Sequence, residues 1–152
     1  MELGGEDHMN VLDFPDTELP EGYNPIGDLL QTVFEHQQIL MQKYHTIEEE
    51  RGALVVQPES FGELDHRFVQ WRIKDLNSRS IEELMEAMNC LKNKQWKQSE
   101  VTTDKVHFYE ELADAFHFFI ELCITAGMDA EDLAMMYLKK AQVNEFRQRS
   151  NY

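Results

Sequence analysis

Two pairs of carboxylates in this sequence have the residue type and the spacing that could support chemistry. Glu83 and Glu86 form the first pair, and Glu111 and Asp114 form the second. Side chains three residues apart on a helix lie on the same face, so each pair presents two acids side by side. We therefore predict that four acids converge between two neighbouring helices.

Clustered carboxylates of this kind would supply hard oxygen ligands to a metal ion. Such ligands suit Mg²⁺, or Mn²⁺ as an alternative, better than they suit zinc. Magnesium sites usually combine a few carboxylates with phosphate oxygens of the substrate, and a bound ion lowers the pKa of an attacking water. The pattern therefore predicts attack of water on a phosphoryl group, with one carboxylate removing the proton.

The alternative is that these acids lie on a solvated surface, because Glu-x-x-Glu arises often by chance in an acidic chain. Ser80 could also use Glu83 as its partner in a capping box, which would make Glu83 purely structural. Glu111 and Asp114, however, stand in the middle of an apolar and aromatic segment, FYEELADAFHFFIEL. Acids in such a segment are costly unless they are paired, so this position favours a functional cluster.

Other polar residues near this cluster have two open interpretations. Glu121 lies seven residues beyond Asp114 and His117 lies between them, so either could face a substrate. A lone histidine in an aromatic helix is, however, more often a hydrogen-bonded core residue. Cations near the C-terminal end could hold phosphate or balance the negative end of a helix. These cations are Lys139, Lys140, Arg147 and Arg149.

Helices must position these residues, because apolar side chains recur along the chain at helical spacing. We predict an all-α fold, a compact helical bundle of about five helices. The segment Asn77–Ser80 is predicted to separate the second helix from the third, and Gly127 to end the fourth. The predicted helices run from Asn24–Pro25 to about Glu50, over Phe61–Trp71, from Ile81 to about Trp96, from Thr102 or Thr103 to Gly127, and from Asp129 or Ala130 through Val143.

The domain organisation follows from composition. Residues 1–23 are rich in glycine, proline and acids and have no helical period, so we predict a flexible acidic N-terminal arm. Residues 24–152 then form one all-α domain, which is long enough to bury its own core. Cys90 and Cys123 both fall in apolar helical patterns, which predicts buried free thiols and no disulfide.

The charge of the chain limits its partners. It contains 29 Asp and Glu against 14 Lys and Arg, which gives a formal net charge of -15. This sign opposes binding to nucleic acid, whereas divalent cations could still bridge an acidic site to a polyanionic substrate. No apolar run approaches the roughly 18 residues that cross a bilayer, and no signal peptide is evident. We therefore expect a cytoplasmic protein with no membrane partner.

The segment EELMEAMNCLKNKQWK, taken with YEELADAFHFFIELCITAGMDAEDLAMMYLKKAQVNEFRQRSNY, resembles the all-α dimeric dUTPases. It is especially similar to the dCTPase-dUTPase of T-even phages, within the MazG-like pyrophosphatase superfamily. The resemblance covers residues 80–152 well and the first two helices loosely. It implies a MazG-like homodimer, in the host cytoplasm if phage-encoded, that uses Mg²⁺ to hydrolyse dUTP, dCTP or both to the monophosphate and pyrophosphate.

The same resemblance assigns roles to the acids. The first family motif matches Glu82, Glu83 and Glu86, and the second matches Glu111 and Asp114. It implies that Glu83 is the catalytic base that activates water. The four metal ligands that the resemblance implies are Glu83, Glu86, Glu111 and Asp114.

The resemblance also implies a set of substrate-binding residues. Trp96 matches a family tryptophan that sits near the base, and Gln37 matches a glutamine of the base pocket. Met41 stands where the family carries an asparagine, which leaves dTTP, a modified pyrimidine or a purine open as substrates. A non-catalytic acidic helical protein is the other open alternative. The C-terminal pattern, implied to contact phosphates and nucleoside, matches Lys140, Asn144, Arg147, Gln148 and Tyr152.

Overall fold

A computed structural model describes residues 28–150 of the chain. Over this range the chain is helical and contains no β-strand, which confirms the predicted all-α class. The predicted arm, the predicted helix start at Asn24 and the predicted ligand Tyr152 lie outside the described residues. The elements are α1 (Leu29–Glu50), a short 3-10 helix (Pro58–Ser60), α2 (Arg67–Cys90), α3 (Lys105–Thr125) and α4 (Ala130–Arg149).

Aspartates cap three of the four helices. Asp28 caps α1, Asp104 caps α3 and Asp129 caps α4, each accepting a hydrogen bond from a backbone N–H of the first turn. Such a side chain satisfies a donor that the helix itself leaves without a partner. The predicted start of the last helix at Asp129 or Ala130 is confirmed, with Asp129 as the cap and Ala130 as the first helical residue. The predicted cap at Thr102 or Thr103 is wrong, because Asp104 performs this role.

The predicted break at Asn77–Ser80 is also wrong, because α2 continues through it. The described residues therefore form four α-helices where the sequence pattern predicted about five. Leu76 is fully buried, and the Ser80 hydroxyl donates to the Ala115 carbonyl of α3 at 3.0 Å. Packing against α3 thus stabilises the helix where its polar residues alone favour a loop. Ser80 is no N-cap, so the capping-box alternative for Glu83 is excluded.

Helices α2 and α3 form an antiparallel pair. Arg72, early in α2, contacts Glu121, late in α3, and Ser80 contacts Ala115 nearer the middle of both helices. The packing between α2 and α3 is the most extensive between any two helices of the described range. This pair therefore sets the spacing of the side chains that project between the two helices.

The hydrophobic core lies on the opposite side of α3. It joins α1 to the second half of α3 and to the first turn of α4. Cys123 is buried within this core, as predicted, whereas Cys90 at the end of α2 is only partly buried. The buried core residues are Phe34, Met41, Ile120, Cys123, Ile124 and Ala130.

Two glycines join the end of α3 to the loop before α2. Gly127 follows the last turn of α3 with φ of 86°, in the left-handed region that favours glycine. Gly62, in the loop, donates its N–H to the Thr125 carbonyl at 3.0 Å. A Cβ on Gly127 would lie only 2.8 Å from the Gly62 Cα. The predicted end of the helix at Gly127 is confirmed, and the close approach of the two backbones gives a second reason for glycine there.

Helix α4 extends to Arg149, beyond the apolar residue Val143 that the sequence pattern placed in its last part. Its first turn packs on the core, whereas its later apolar side chains remain exposed, with Tyr137 at 72% and Phe146 at 70%. Among the described helices, none has an apolar stretch of the length and composition needed to cross a membrane.

Candidate metal centre

Three glutamates meet between α2 and α3. Glu83 and Glu86 project from α2, and Glu111 projects from α3. One carboxylate oxygen from each can be chosen so that all three lie within 4.8 Å of one another. Glu111 is buried, Glu83 is partly buried and Glu86 is exposed. We call these three residues the glutamate triad.

The triad forms because both helices present their acids at the same level. The spacing of three residues places Glu83 and Glu86 on one face of α2. The antiparallel pairing then brings Glu111, in the second turn of α3, opposite them. The predicted convergence of carboxylates is therefore confirmed for three of the four residues.

Negative charge in the triad changes the acidity of Glu83. Its pKa is raised above the usual value, first because its partial burial disfavours the ionised form. A hydrogen bond with Glu111 and the charges of Glu86, Asp114 and Glu111 raise the pKa further. Glu83 thus retains its proton more strongly than an isolated carboxylate does. A cation bound there would relieve the same repulsion.

Asp114, the fourth predicted ligand, is not part of the triad. It lies three residues beyond Glu111, about 60° away around the axis of α3. Its side chain is partly buried, and its charge contributes to the raised pKa of Glu83. Asp114 therefore borders the triad.

His107 is a neighbour of the triad that the sequence analysis missed. Its Nδ1 lies 3.4 Å from Glu111 Oε1 and 3.9 Å from Glu110 Oε2. The ring is half exposed. The signal that could have found it is its spacing, because His107 stands one helical turn before Glu111. It adds a nitrogen ligand or hydrogen-bonding group to the edge of the site.

A cavity of about 350 Å³ opens directly beside the triad. Glu86, Asp104 and His107 line it together with Lys92 and Thr102, which come from the loop between α2 and α3. Ammonium and hydroxyl groups next to carboxylates can bind the oxygens of a phosphate. The cavity is therefore suited to an anion that shares a metal ion with the triad.

The loop between α2 and α3 is closed by one side chain. Asn93 donates its Nδ2–H to the Val101 carbonyl at 2.9 Å and accepts the Val101 N–H at 2.7 Å. Trp96 lies at the tip beyond this pair of hydrogen bonds and is 77% exposed, with Lys94 Nζ 5.3 Å from its ring centroid. The predicted ligand Trp96 therefore lies on the loop. The sequence pattern predicted that it lies at the end of a helix, but α2 ends at Cys90.

Gln37, a predicted base-pocket residue, lies on α1 and is buried, with 4% exposure. Its Oε1 is 3.0 Å from His117 Nδ1 on α3. Both residues line a cavity of about 560 Å³ between α1 and α3. His117 is thus hydrogen-bonded to Gln37, and the two side chains form a polar pair in the wall of this cavity.

Glu121 does not face the triad or its cavity. Its Oε1 accepts a hydrogen bond from Arg72 Nη2 at 3.0 Å, and Arg72 also binds Asp75 at 2.9 Å. Glu121 is buried, with 7% exposure. The hypothesis that Glu121 faces a substrate is therefore wrong, because its carboxylate is held in a largely buried ion pair.

The predicted ligands of the C-terminal helix do not contact the triad within the described chain. Lys140, Asn144, Arg147 and Gln148 are exposed on the second half of α4. Among residues 28–150, no hydrogen bond or ion pair joins any of them to the triad. They would have to reach a substrate from α4.

Comparisons of this chain with protein-family models, with curated proteins and with solved structures gave no match. The features of the chain that bear on function are therefore those of the site itself: the glutamate triad, the cavity beside it and the larger cavity between α1 and α3.

Proposed function

We propose that this protein is a magnesium-dependent hydrolase that converts dUTP, dCTP or both to the monophosphate and pyrophosphate. The observation that carries this proposal is the glutamate triad, in which a buried acid and a partly buried acid lie close together. Carboxylates at such distances repel each other unless a proton or a cation separates them. The sequence resemblance to the MazG-like dimeric dUTPases supports the same reaction and a MazG-like fold.

The residues of the site fit a magnesium ion. Glu83, Glu86 and Glu111 would hold it with oxygen atoms, which are the ligands that Mg²⁺ and Mn²⁺ prefer. Asp114 lies one turn away and would complete the set or bind a second ion. When bound, Mg²⁺ neutralises phosphate charge and lowers the pKa of an attacking water.

The side chains around the site then have separate tasks. Glu83 is the general base, since its partly buried carboxylate lies within the triad and can accept the proton of a water bound beside it. Lys92 and Thr102 line the small cavity. Their ammonium and hydroxyl groups would bind the oxygens of the leaving pyrophosphate. Glu111, buried against α2, keeps its carboxylate in one position relative to Glu83. In-line attack at the α-phosphorus requires this fixed geometry.

The remaining predicted ligands belong to the nucleoside end and the outer phosphates. We propose that Gln37 binds the base in the larger cavity and that Trp96 closes over the nucleoside from the loop tip. Lys140, Asn144, Arg147 and Tyr152 would contact the phosphates and the sugar. We also propose that the protein is a homodimer, because α4 exposes large apolar side chains along its length.

The test is release of pyrophosphate from dUTP, dCTP, dTTP, dATP and dGTP in the presence of Mg²⁺. Glu83→Gln should lower kcat at least about 100-fold, since it removes the base and one metal ligand. Glu63→Gln is the matched control, because Glu63 is an exposed acid near Gly62, at the other end of α3 from the triad. It should retain activity within twofold of the unmodified chain.

Two results would contradict this proposal. Release from no substrate, together with an unfolding midpoint that Mg²⁺ does not change, would favour a non-catalytic acidic helical protein. Equal activity of Glu83→Gln and the unmodified chain would remove Glu83 from the mechanism. Release from dTTP or a purine substrate alone would retain the reaction and the site but change the base.

A further inference from the structure

The larger cavity, between α1 and α3, combines apolar walls with a buried amide. Its volume is about 560 Å³, within the range of ligand-binding pockets. Val33 and Leu40 of α1 face Phe116 and Ile120 of α3 across it. Gln37 projects into this apolar surrounding. Such a combination suits a flat ring that is apolar on its faces and polar at its edge.

Gln37 keeps hydrogen-bonding capacity for a ligand. Among residues 28–150, its side chain makes one hydrogen bond, between Oε1 and His117 Nδ1. In the same range, no fully enclosed side-chain nitrogen or oxygen lacks a partner, so the rest of the carboxamide is open to the cavity. A purely aliphatic ligand would cover it and leave it without a hydrogen-bond partner, which disfavours binding of such a ligand.

The position of the cavity relative to the triad is suited to a nucleotide. His117 lies six residues beyond Glu111 and points about 120° away from it around α3. Asp114 lies between them, about 60° from each, and is partly buried. A ligand with its base beside His117 and its phosphates at the triad would pass Asp114. The proposed function therefore places a pyrimidine ring in this cavity.

The hydrogen bond between Gln37 and His117 has two chemically distinct forms. When His117 carries its proton on Nδ1, it donates to Gln37 Oε1, and the amide NH₂ faces the cavity. When the proton is on Nε2, His117 Nδ1 accepts from the amide NH₂ of a flipped Gln37, and Oε1 faces the cavity. The tautomer of His117 thus sets whether Gln37 offers a donor or an acceptor.

We propose that His117 is a positioning residue that lets Gln37 recognise both uracil and cytosine. The two bases differ at position 4, where uracil has a carbonyl acceptor and cytosine has an amine donor. The NH₂ end of Gln37 binds the carbonyl of uracil, and the Oε1 end binds the amine of cytosine. This inference rests on the proposed function for the identity of the substrate.

The test uses a variant that cannot make this exchange. Gln37→Glu has only acceptors, so His117 donates to one oxygen and the other faces the base. The ratio of kcat/KM for dCTP to that for dUTP should rise about tenfold or more, through KM, since a missing donor leaves the uracil carbonyl unpaired. Gln38→Glu is the matched control, because Gln38 is exposed and lines a different cavity. It should keep the original ratio.

His117 is tested by removal and by rescue. His117→Phe should raise KM for both substrates roughly fivefold or more while kcat changes less than twofold, because the base contact is far from the reacting phosphorus. His117→Gln, whose amide can also donate or accept, should recover part of this loss. A general loss of structure would instead lower kcat with both substitutions. Circular dichroism tests whether each variant is folded. Should the charge of Gln37→Glu prevent folding, Gln37→Met takes its place. Gln37→Met should lower kcat/KM for both substrates, because it removes donor and acceptor together.

Binding of dUMP and dCMP in EDTA, followed by NMR, separates this inference from the proposed function. Hydrolysis that depends on Glu83 but has the same substrate ratio in Gln37→Glu overturns the inference and leaves the function standing. Failure of all hydrolysis, with dUMP and dCMP binding weakened by His117→Phe, overturns the function and supports the inference. Absence of binding by both nucleotides, with unchanged KM values in the variants, overturns the inference.

Discussion

Glu83 is the residue at which burial, hydrogen bonding and repulsion act together. Without a metal ion, its raised pKa means that the folded protein holds a proton more tightly than the unfolded chain does. The stability from this proton is fully present below the carboxyl pKa of the unfolded chain. It is lost as the pH rises through the higher pKa of the folded state. At neutral pH the ionised group therefore opposes folding.

We predict that Glu83→Gln stabilises the metal-free protein at pH 7. The amide resembles the protonated acid and can donate to Glu111, so the free energy of unfolding should rise by on the order of 1 kcal/mol. The difference from the unmodified chain should shrink towards pH 4. Urea unfolding in EDTA at the two pH values measures it. Addition of Mg²⁺ should then raise the stability of the unmodified chain and have little effect on Glu83→Gln.

A lower stability of Glu83→Gln in EDTA at pH 7 would contradict this account. It would mean that the ionised carboxylate makes a favourable contact in the absence of metal. Glu63→Gln is the control for this measurement as well. Its substitution should change the free energy of unfolding by less than about 0.5 kcal/mol, because Glu63 is an exposed acid in a loop.

Local spacing explains which site residues could be predicted. Glu83 and Glu86 are paired by the helix itself, and Glu111 lies in the segment where an acid is costliest, so sequence pattern was enough for the triad. The partner of Glu121 is Arg72, which lies 49 residues away in the chain. No local pattern indicates such a contact, and the wrong hypothesis for Glu121 follows from this. His107 was missed although its spacing from Glu111 is local.

At the scale of elements, helix boundaries set by caps could be predicted from sequence, whereas those set by tertiary packing could not. The starts and stops that depend on a few adjacent residues, such as Asp129 and Gly127, were predicted correctly. The break at Asn77–Ser80 was not, because α2 is held there by Leu76 and by the hydrogen bond of Ser80 to α3. Tertiary contacts of this kind override local preference and are invisible in a window of sequence.

The junction between Gly62 and Gly127 yields a prediction at this scale. Gly127→Ala should lower the free energy of unfolding by about 2–4 kcal/mol, from the left-handed conformation and from the clash with the Gly62 backbone. Gly52→Ala is the matched control, since Gly52 has φ of 77° but a Cβ added there would have no atom within 4 Å. It should cost only about 1 kcal/mol. Chemical unfolding of both variants measures the difference.

Equal losses for Gly127→Ala and Gly52→Ala would show that the backbone contact contributes nothing beyond the conformational penalty. The loop before α2 would then be free to shift away from the end of α3. A larger loss at Gly127 supports the view that this contact fixes the end of α3 relative to α2.

At the scale of the whole molecule, α4 stands out among the described helices because Ala130 is its one buried residue, fewer than in α1, α2 or α3. Its apolar side chains are spread around the helix, and Tyr137 and Phe146 project from opposite sides. An isolated helix with apolar residues on all sides is unusual at a protein surface. The same helix carries Lys140 and Arg147, whereas the chain as a whole has a net charge of -15. A second copy of the chain would cover the exposed apolar residues of α4.

We predict that the protein sediments at twice the monomer mass and that the double substitution Tyr137→Glu and Phe146→Glu yields a folded monomer. Because the two residues lie on opposite sides of α4, one of the introduced charges would be buried without a partner whichever side faces the second copy, which costs several kcal/mol. Leu54→Glu is the control, because Leu54 is 83% exposed on the connector after α1. Analytical ultracentrifugation measures all three proteins. A monomeric unmodified chain, or a double variant that remains dimeric, would contradict this use of α4.

The two hydrogen bonds between Asn93 and Val101 allow the tip of the loop to change in evolution independently of α2 and α3. These bonds close the loop at its base, so residues 94–100 do not contribute to the spacing between α2 and α3. The tip can lengthen, shorten or exchange Trp96 while the glutamates stay in register. Under the proposed function, substitutions in this tip would change the contacts to the nucleoside and leave the glutamate triad in place, so substrate preference would evolve separately from hydrolysis.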